Sequence, residues 1–347
     1  MDTQRKKAYD DLRRRSGSTS LRQLTHIDIP NNNRIWAKLE FENPTESAFD
    51  RVYPGLFQIA ELEGRIVPGR TPVIECSTGN AGASFAWTAR ELGFESRVII
   101  HADSPIARIE QIRQLGSELI FSPPGEYGSG YVQLLNTLLE KDRERESDHT
   151  RRLYAITKIA PVARTFHYPI AREVVAQLTA ASRVRTFSAL VAAVGSGDLI
   201  CGVAHELRTL GSNVRIVGME SAEMPTVSAL MKGEMLTSKP LPIEDLMLGV
   251  TGTNLPPDRL NIDFTLIDEV RGVSISDWKY ADRLLKEREG IEAGRTSAGS
   301  LAAALSLSLT MENSDIVVIF FDPAWKYGSA FTPRLSSIYQ TSPQPGD

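Results

Sequence analysis

The chain has 347 residues, of which 41% are hydrophobic and 24% charged, and its formal net charge is −4. It is long enough for two domains around a large buried core, and its charge gives no reason to expect nucleic-acid binding. No apolar run of about 18 residues is present, which excludes a membrane-spanning helix. Cys76 and Cys201 are the only cysteines. Their number fits a reducing cytoplasm without disulfide bonds and argues against a zinc site.

The N-terminal segment 1–15 is polar and contains six basic residues, without the apolar core of a secretory signal. We expect a solvated, frayed helix here. A basic helix that contacts a partner is the alternative interpretation.

Strand-like and helix-like segments alternate along the rest of the chain. This alternation predicts an α/β protein with parallel sheets covered on both faces, in which ligand loops lie at the carboxyl ends of the strands. The predicted strands are 72–76, 97–101, 118–121, 153–156, 189–194, 214–219, 264–270 and 315–321, and the predicted helices are 81–92, 106–115, 130–142, 168–180, 199–210, 225–231, 276–289 and 297–309.

One segment, Asn43-Pro44-Thr45-Glu46-Ser47-Ala48-Phe49-Asp50-Arg51, follows a short run that ends in Ala37-Lys38-Leu39-Glu40. It resembles the Asn-Pro-Thr-Gly-Ser-Val-Lys-Asp-Arg signature of the cysteine synthase and cystathionine β-synthase family, the fold type II pyridoxal-phosphate (PLP) enzymes. In that signature the lysine holds PLP as a Schiff base, and here Phe49 stands in its place. Phenylalanine has no amine, so it can neither form an imine nor transfer a proton.

A second segment, Ser77-Thr78-Gly79-Asn80-Ala81-Gly82, lies between a predicted strand and a predicted helix; we call it the 77–82 loop. Backbone N–H groups and small hydroxyls at a helix N-terminus suit a carboxylate, although a simple helix cap would look the same. The loop resembles the family's Thr-Ser-Gly-Asn-Thr-Gly loop. That resemblance implies that Asn80 hydrogen-bonds the phenolic oxygen of PLP. It also implies substrate-binding roles for Ser77, Thr78, Gly79 and Asn80.

A third segment, Gly195-Ser196-Gly197-Asp198-Leu199, follows a predicted strand and opens a helix. It resembles the family's Gly-Thr-Gly-Gly-Thr phosphate cup, which implies that Gly195, Ser196 and Gly197 bind the cofactor phosphate. Asp198 replaces a glycine and Leu199 a threonine of that pattern. Since a carboxylate repels a phosphate and leucine donates no hydrogen bond, we expect degraded phosphate binding. Asp198 is equally suited to cap the helix.

Two further residues match family positions near the ligand. Asp322 follows the last predicted strand, where the resemblance implies contact with the pyridine nitrogen of PLP, and capping of the turn before Pro323 is the alternative. Lys158 matches a family glutamine that faces the substrate, and an exposed loop lysine is the alternative. Elimination by position makes Lys158 the candidate substitute for the missing lysine. Lys326 is set aside because the resemblance implies that its position points outward.

Matches to the family run in one order from Gly17 to Tyr327. The resemblance therefore implies a tryptophan-synthase-β-like fold of two open, twisted, mainly parallel sheet domains with a cleft between them. We expect a larger domain of residues 1–46 and 157–335, a smaller domain of residues 47–156, and a tail of residues 336–347.

Three functional interpretations stay open, because fold alone does not decide function. The first is a cytoplasmic, cysteine-synthase-like homodimer without standard PLP catalysis, which binds an amino acid, another small anion or a partner protein. The second is an active lyase or β-replacement transferase for an amino acid such as an O-activated serine or cysteine, with PLP held non-covalently or by another lysine. The third is a PLP-independent enzyme.

Overall fold

The computed structural model describes residues 1–77, 79–122, 129–157, 161–182, 187–234, 241, 245–250 and 260–328. Contacts along the chain group it into two compact units. Unit 1 consists of Met1–Gly17, Asn43–Ala163 and Trp325–Asp347, and unit 2 of Ser18–Glu42 and Arg164–Ala324. The division into a larger domain of residues 1–46 and 157–335 and a smaller domain of residues 47–156 stays a prediction.

The secondary structure alternates as the sequence predicts. The strands are β1 (Leu21–Leu24), β2 (Arg34–Leu39), β3 (Val73–Cys76), β4 (Ser96–His101), β5 (Glu118–Ser122), β6 (Tyr154–Ala155), β7 (Ala189–Ala193), β8 (Arg215–Ser221), β9 (Glu269–Val273) and β10 (Asp315–Phe320). The α-helices are α1 (Thr3–Arg15), α2 (Tyr53–Leu62), α3 (Asn80–Leu92), α4 (Ile106–Gln114), α5 (Ser129–Arg145), α6 (Tyr168–Ser182), α7 (Asp198–Thr209), α8 (Thr226–Lys232), α9 (Ile275–Leu284) and α10 (Arg295–Ser308).

Unit 1 contains a four-stranded parallel sheet in the order β5-β4-β3-β6. All four residues of β3 are buried, as expected for a strand covered on both faces. Because the strands are parallel, their carboxyl ends share one edge of the sheet. Ser77 follows β3 at this edge, and α3 begins at Asn80.

Unit 2 contains a six-stranded sheet in the order β1-β2-β10-β7-β8-β9, parallel except for the antiparallel pair β1 and β2. Strand β10 is buried along its whole length, and its side chains alternate between two cores. Ile316 and Val318 pack in one core with α9 and α10, whereas Val317 and Ile319 pack in the other with α6 and α7. Unit 2 is therefore a sheet with helices on both faces.

The structure corrects two expectations about individual elements and adds one helix. Predicted strand 264–270 is wrong in its first half, because Asp263 caps a 3₁₀ turn, Phe264–Leu266, before β9 begins at Glu269. The predicted helix 276–289 is α9 followed by a π-helical turn, Leu285–Glu289. Helix α2 was not predicted.

The N-terminal helix α1 is anchored rather than frayed. Tyr9 and Leu12 are buried, and the Tyr9 hydroxyl donates a hydrogen bond to the Glu61 carboxylate at 2.7 Å. Arg5 donates to both Glu61 oxygens and to the Leu92 carbonyl. The expectation of fraying is therefore wrong, because the basic residues obscured a short apolar stripe, whereas five of the six basic residues are solvent-exposed as expected.

Candidate functional site

The predicted site residues divide between the two units. Phe49, Ser77, Gly79 and Asn80 lie in unit 1, whereas Gly195, Ser196, Gly197 and Asp322 lie in unit 2. Thr78 and Lys158 fall outside the described residues. Each group is described within its own unit.

The 77–82 loop is shaped by the side chain of Ser77. Its buried Oγ accepts hydrogen bonds from the backbone N–H groups of Gly79, at 3.0 Å, and Gly82, at 2.8 Å. These bonds satisfy backbone donors at the start of α3, as a cap residue would. The hydroxyl keeps its own proton for donation. Ser77 thus holds the loop in shape and remains able to donate one hydrogen bond.

Gly79 is required by its backbone conformation and by its neighbour. Its φ of +140° is rare for residues with a side chain. A Cβ at this position would lie 3.0 Å from Cβ and Cγ of Arg108 and closer still to Cδ. Arg108 is itself buried, so its stem has little room to move. The loop therefore rests against a fixed arginine.

Phe49 lies in a 3₁₀ turn, Ala48–Arg51, that packs against α3. The turn is capped by Ser47, whose Oγ accepts from the Phe49 N–H at 3.2 Å. Phe49 is half-buried, and its ring centroid lies 6.5 Å from that of Tyr53. The position that the family pattern gives to lysine therefore carries an apolar ring beside the ring of Tyr53.

Glu46 stands where the family signature has glycine and keeps a glycine-like backbone, with φ of +58°. A side chain in this left-handed region costs about 1–2 kcal/mol. The buried Glu46 carboxylate accepts a hydrogen bond from Trp325 Nε1 at 2.8 Å, which offsets part of that cost. Glu46 thus adopts a backbone conformation that glycine takes readily.

Lys326 is the functional candidate that sequence reasoning missed, since the expectation that it points outward is wrong. It is fully buried, and its Nζ lies 2.6 Å from the Thr45 carbonyl, 3.1 Å from the Glu46 carbonyl and 3.0 Å from Asn80 Oδ1. An ammonium offers three donors and no lone pair, so these three acceptors match its charged form. The available signal was the pair of aromatic residues that flank this lysine.

Asp50 is a second buried charge in the same region. Its carboxylate accepts from Thr45 N–H and Thr45 Oγ1, both at 2.6 Å. Burial raises the pKa of Asp50 to about 6, opposed by hydrogen bonds from Thr45 and Ser84 and by the charge of Lys326. Asp50 therefore changes its charge in mildly acidic solution.

In unit 2, the glycine turn between β7 and α7 already contains a carboxylate. Asp198 is buried, and its Oδ2 accepts from Ser196 Oγ at 2.8 Å while its Oδ1 accepts from Asn261 Nδ2 at 2.6 Å. A Cβ on Gly197 would lie 2.8 Å from Cα of Ile262, so the chain itself packs against the turn. These glycines therefore allow close packing of the protein's own backbone.

These groups do not fit a lysine-bound PLP. Phe49 offers no amine, and Lys326 is held as an ammonium by three acceptors. A phosphate at the glycine turn would face the buried Asp198 carboxylate. Two like unit charges 4 Å apart repel by about 4 kcal/mol at an effective dielectric constant of about 20, and a dianion suffers more. In unit 1 the described residues thus disfavour an imine, and in unit 2 the glycine turn disfavours a bound phosphate.

Asp322 is buried directly after β10. Its backbone carbonyl accepts from Gly294 N–H at 2.7 Å and from Ser297 Oγ at 3.3 Å, which ties the end of the strand to the start of α10. A contact between its carboxylate and a pyridine nitrogen stays a prediction.

Other kinds of site find no support in the described part of the chain. None of its helices has the length and apolar character needed to cross a membrane. Within the same residues, no group of three His, Cys, Asp or Glu side chains is arranged to hold a metal ion. Both cysteines are buried, and neither forms a disulfide bond within the described residues. The polar groups of interest in the described residues are therefore those of the 77–82 loop, the glycine turn between β7 and α7, and Lys326 with its partners.

Comparisons with known proteins agree on one family. A family model described as "Pyridoxal-phosphate dependent enzyme" matches residues 12–322. Cysteine synthase 3 of Caenorhabditis elegans is 26% identical over 305 residues, which are 87% of this chain and 83% of that protein. Cysteine synthase A of Escherichia coli (strain K12) is 26% identical over 332 residues, which are 92% of this chain and 94% of that protein.

Solved structures give the same result. A hydrogen sulfide-producing enzyme from Fusobacterium nucleatum superposes with a TM-score of 0.77 and 25% identity, covering 91% of this chain and 98% of that chain. The O-acetylserine dependent cystathionine β-synthase from Helicobacter pylori superposes with a TM-score of 0.76 and 25% identity, covering 93% of this chain and 98% of that chain. Both likenesses extend over nearly the whole length of each protein.

Proposed function

Because this chain belongs to the family of pyridoxal-phosphate dependent enzymes, we propose that it is a cysteine-synthase-like member that binds an amino acid or similar small carboxylate without lysine-bound PLP chemistry. The family and the fold type II architecture predicted from the sequence are confirmed. The loss of PLP chemistry is the new part of the proposal. The observation that carries it is the buried Asp198 carboxylate, already hydrogen-bonded within the glycine turn.

Phe49 supports the proposal independently. Glu46 has the left-handed backbone that suits the signature's glycine, yet Phe49 presents a ring where the signature has an amine. A lysine elsewhere would have to supply a neutral amine to form an imine. Lys326 is unsuited to this because three oxygen atoms hold its ammonium.

The 77–82 loop supports a carboxylate ligand. Ser77 shapes the loop and retains a hydroxyl proton, and the loop begins the 13-residue helix α3, whose N-terminus carries a partial positive charge. The relatives are named for cysteine synthesis and for dependence on O-acetylserine, which is amino-acid chemistry. An amino-acid carboxylate is therefore the ligand group that we assign to this loop.

The oligomeric state and the cellular location are part of the same proposal. We propose a homodimer on the strength of the family resemblance, and a cytoplasmic location because Cys76 and Cys201 are reduced and buried. A partner protein bound in place of a substrate is compatible with the same fold.

Direct binding measurements test this function. Isothermal titration calorimetry of the wild-type protein should detect binding of at least one of L-serine, O-acetyl-L-serine and L-cysteine. Ser77→Ala should weaken that binding about tenfold, because it removes roughly one charge-assisted hydrogen bond to the ligand. Ser300→Ala is the matched control. Ser300 is also a buried serine, and its hydroxyl donates a hydrogen bond to the Thr296 carbonyl, but it lies in unit 2 and outside the 77–82 loop. Wild-type protein that binds none of the three compounds would contradict the proposal.

A further inference from the structure

We infer that the glycine turn between β7 and α7 is filled by an anion of the chain itself: the Asp198 carboxylate occupies it, and Arg164 holds it there through Asn261. The contact is autoinhibitory, because it closes the turn to an external phosphate. The inference rests on the proposed function for the absence of phosphate binding in unit 2, and it does not depend on the amino-acid ligand of unit 1.

The turn supplies its own negative charge. Gly197 has a left-handed backbone, with φ of +96°, and Asp198 is the first residue of the 12-residue helix α7. The N-terminus of a helix favours a negative charge. The buried Asp198 carboxylate provides that charge and accepts hydrogen bonds from Ser196 Oγ at 2.8 Å and Asn261 Nδ2 at 2.6 Å. These side-chain donors therefore have an acceptor within the protein.

Arg164 determines how Asn261 faces the carboxylate. Its Nη2 donates to the backbone carbonyl of Asn261 and to Asn261 Oδ1, the latter at 3.1 Å. A guanidinium has donors and no acceptor, so the amide oxygen must face Arg164 and Nδ2 must face Asp198. The backbone N–H of Asn261 also donates to the Ser196 carbonyl at 2.7 Å. Asn261 is therefore a bridge between a cation and an anion.

Backbone of the chain covers the turn on two sides. A Cβ added to Gly197 would lie 2.8 Å from Cα and 2.9 Å from N of Ile262. A Cβ added to Gly195 would lie 2.9 Å from the carbonyl oxygen of Gly249. Backbone atoms cannot rotate away as the end of a side chain can. Arg164 therefore fastens a covering segment, residues 261–263, directly against the turn.

The charges near the turn oppose an external anion. Asp263 Oδ2 lies 3.8 Å from Arg164 Nη1, so the guanidinium faces a second carboxylate. Burial raises the pKa of the Cys201 thiol, whereas a backbone hydrogen bond from Asp263 and the charge of Arg164 lower it. The carboxylates of Asp263 and Asp198 both raise it. The described charges that act on Cys201 are thus two negative and one positive, a balance that repels a phosphate.

Two matched pairs of variants on α7 and its partners separate this contact from a purely structural one. Asp198→Ala removes the internal anion and takes an acceptor from Ser196 and Asn261. Glu206→Ala is its control, because Glu206 lies on the same helix, is 4% exposed like Asp198, and pairs with Arg172 at 2.6 Å. Arg164→Met releases Asn261, and Arg172→Met is the control for that change.

The first measurement is thermal unfolding in potassium phosphate and in potassium chloride of equal ionic strength, at a pH at which phosphate is mainly a dianion. Phosphate stabilises folded proteins in general, so the wild-type protein and Glu206→Ala should show the same difference between the two salts. Asp198→Ala should show a difference about 2 °C larger, because the vacated turn binds phosphate. Adding Arg164→Met to Asp198→Ala should abolish this gain.

The second measurement uses chains that keep Asp198, so it does not depend on the folding of Asp198→Ala. Cys201 is labelled with a thiol-specific disulfide reagent, and peptide mapping separates it from Cys76 of unit 1. The Asp263 N–H donates to Cys201 Sγ at 3.3 Å, so opening of the covering segment exposes this buried thiol. Arg164→Met should speed the labelling of Cys201 about tenfold and leave that of Cys76 unchanged. Arg172→Met should change neither rate.

Three results would overturn the inference. The first is a phosphate response of Asp198→Ala no larger than that of the wild-type protein. The second is a response that survives the addition of Arg164→Met, because the phosphate would then bind elsewhere. The third is unchanged labelling of Cys201 in Arg164→Met, which would show that Arg164 does not hold the covering segment. The amino-acid titrations test the proposed function separately, since they concern the 77–82 loop of unit 1.

Discussion

Gly79→Ala should destabilise the protein far more than an alanine at another left-handed glycine. Gly79 has φ of +140°, and an added Cβ would collide with the stem of Arg108. The backbone strain costs about 1–3 kcal/mol. Overpacking in a tight interior adds about 1–3 kcal/mol. The expected loss in the free energy of unfolding is therefore about 2–6 kcal/mol.

The contacts of Arg108 prevent it from relieving this collision by moving. It is buried, its Nε donates to the Lys326 carbonyl, and its guanidinium carbon lies 4.6 Å from the ring centroid of Tyr327. Displacing the stem would disturb these contacts and leave a buried charge less well paired, which is costly. The upper part of the range applies if the stem stays in place.

Gly93→Ala is the matched control. Gly93 ends the same helix with φ of +75°, and nothing lies within 4 Å of an added Cβ. Its expected cost is about 1–2 kcal/mol of backbone strain, reduced by about 0.4–1 kcal/mol through the lower entropy of the unfolded chain. Urea unfolding, followed by fluorescence and circular dichroism, measures both variants. Equal destabilisation by the two would refute the claim that the 77–82 loop rests against a fixed Arg108.

The remaining predictions concern charge. Phe49→Lys should capture little PLP, measured as PLP label that borohydride reduction makes permanent. Adding Asp198→Gly should increase this labelling, because it removes the repulsion at the glycine turn. Equal labelling of the single and double variants would show that Asp198 does not impede PLP binding. The pKa of Asp50 is 3.8 in the unfolded chain and about 6 in the folded protein, so between these pH values the folded protein keeps a proton that the unfolded chain has released. The free energy of unfolding should therefore fall as the pH rises through this range, by on the order of 3 kcal/mol. Asp50→Asn should remove that part of the pH dependence of urea unfolding, and an unchanged slope would contradict the assignment.

The sequence was informative where local pattern and burial agree. Strand β10 is a continuous apolar run because both of its faces are buried, and α3 follows the 77–82 loop as the strand-to-helix pattern predicts. The end of β8 and the start of β9 were harder to place. Asp263 caps a 3₁₀ turn in a segment whose apolar residues look like a strand, so hydrogen bonding by one side chain overrode the pattern.

The contacts of Lys326 could not be predicted from local sequence. It lies 246 residues from Asn80 and 281 from Thr45 along the chain, and no periodicity reports such contacts. Phe49 and Asp198 were recognised because a family pattern gave them an expected residue to differ from. The hydrogen bond that Asn261 donates to Asp198 required the folded chain.

The most direct test of the central claim is to search for a covalent PLP–lysine adduct. Purified protein is incubated with PLP, its near-visible absorption is recorded, and the sample is treated with borohydride before intact-mass analysis and peptide mapping. We predict no absorption band from bound cofactor and no gain in mass, with a PLP-binding cysteine synthase as the positive control. A stoichiometric adduct on any lysine, Lys158 included, would contradict the claim and establish this chain as a PLP enzyme with a relocated amine.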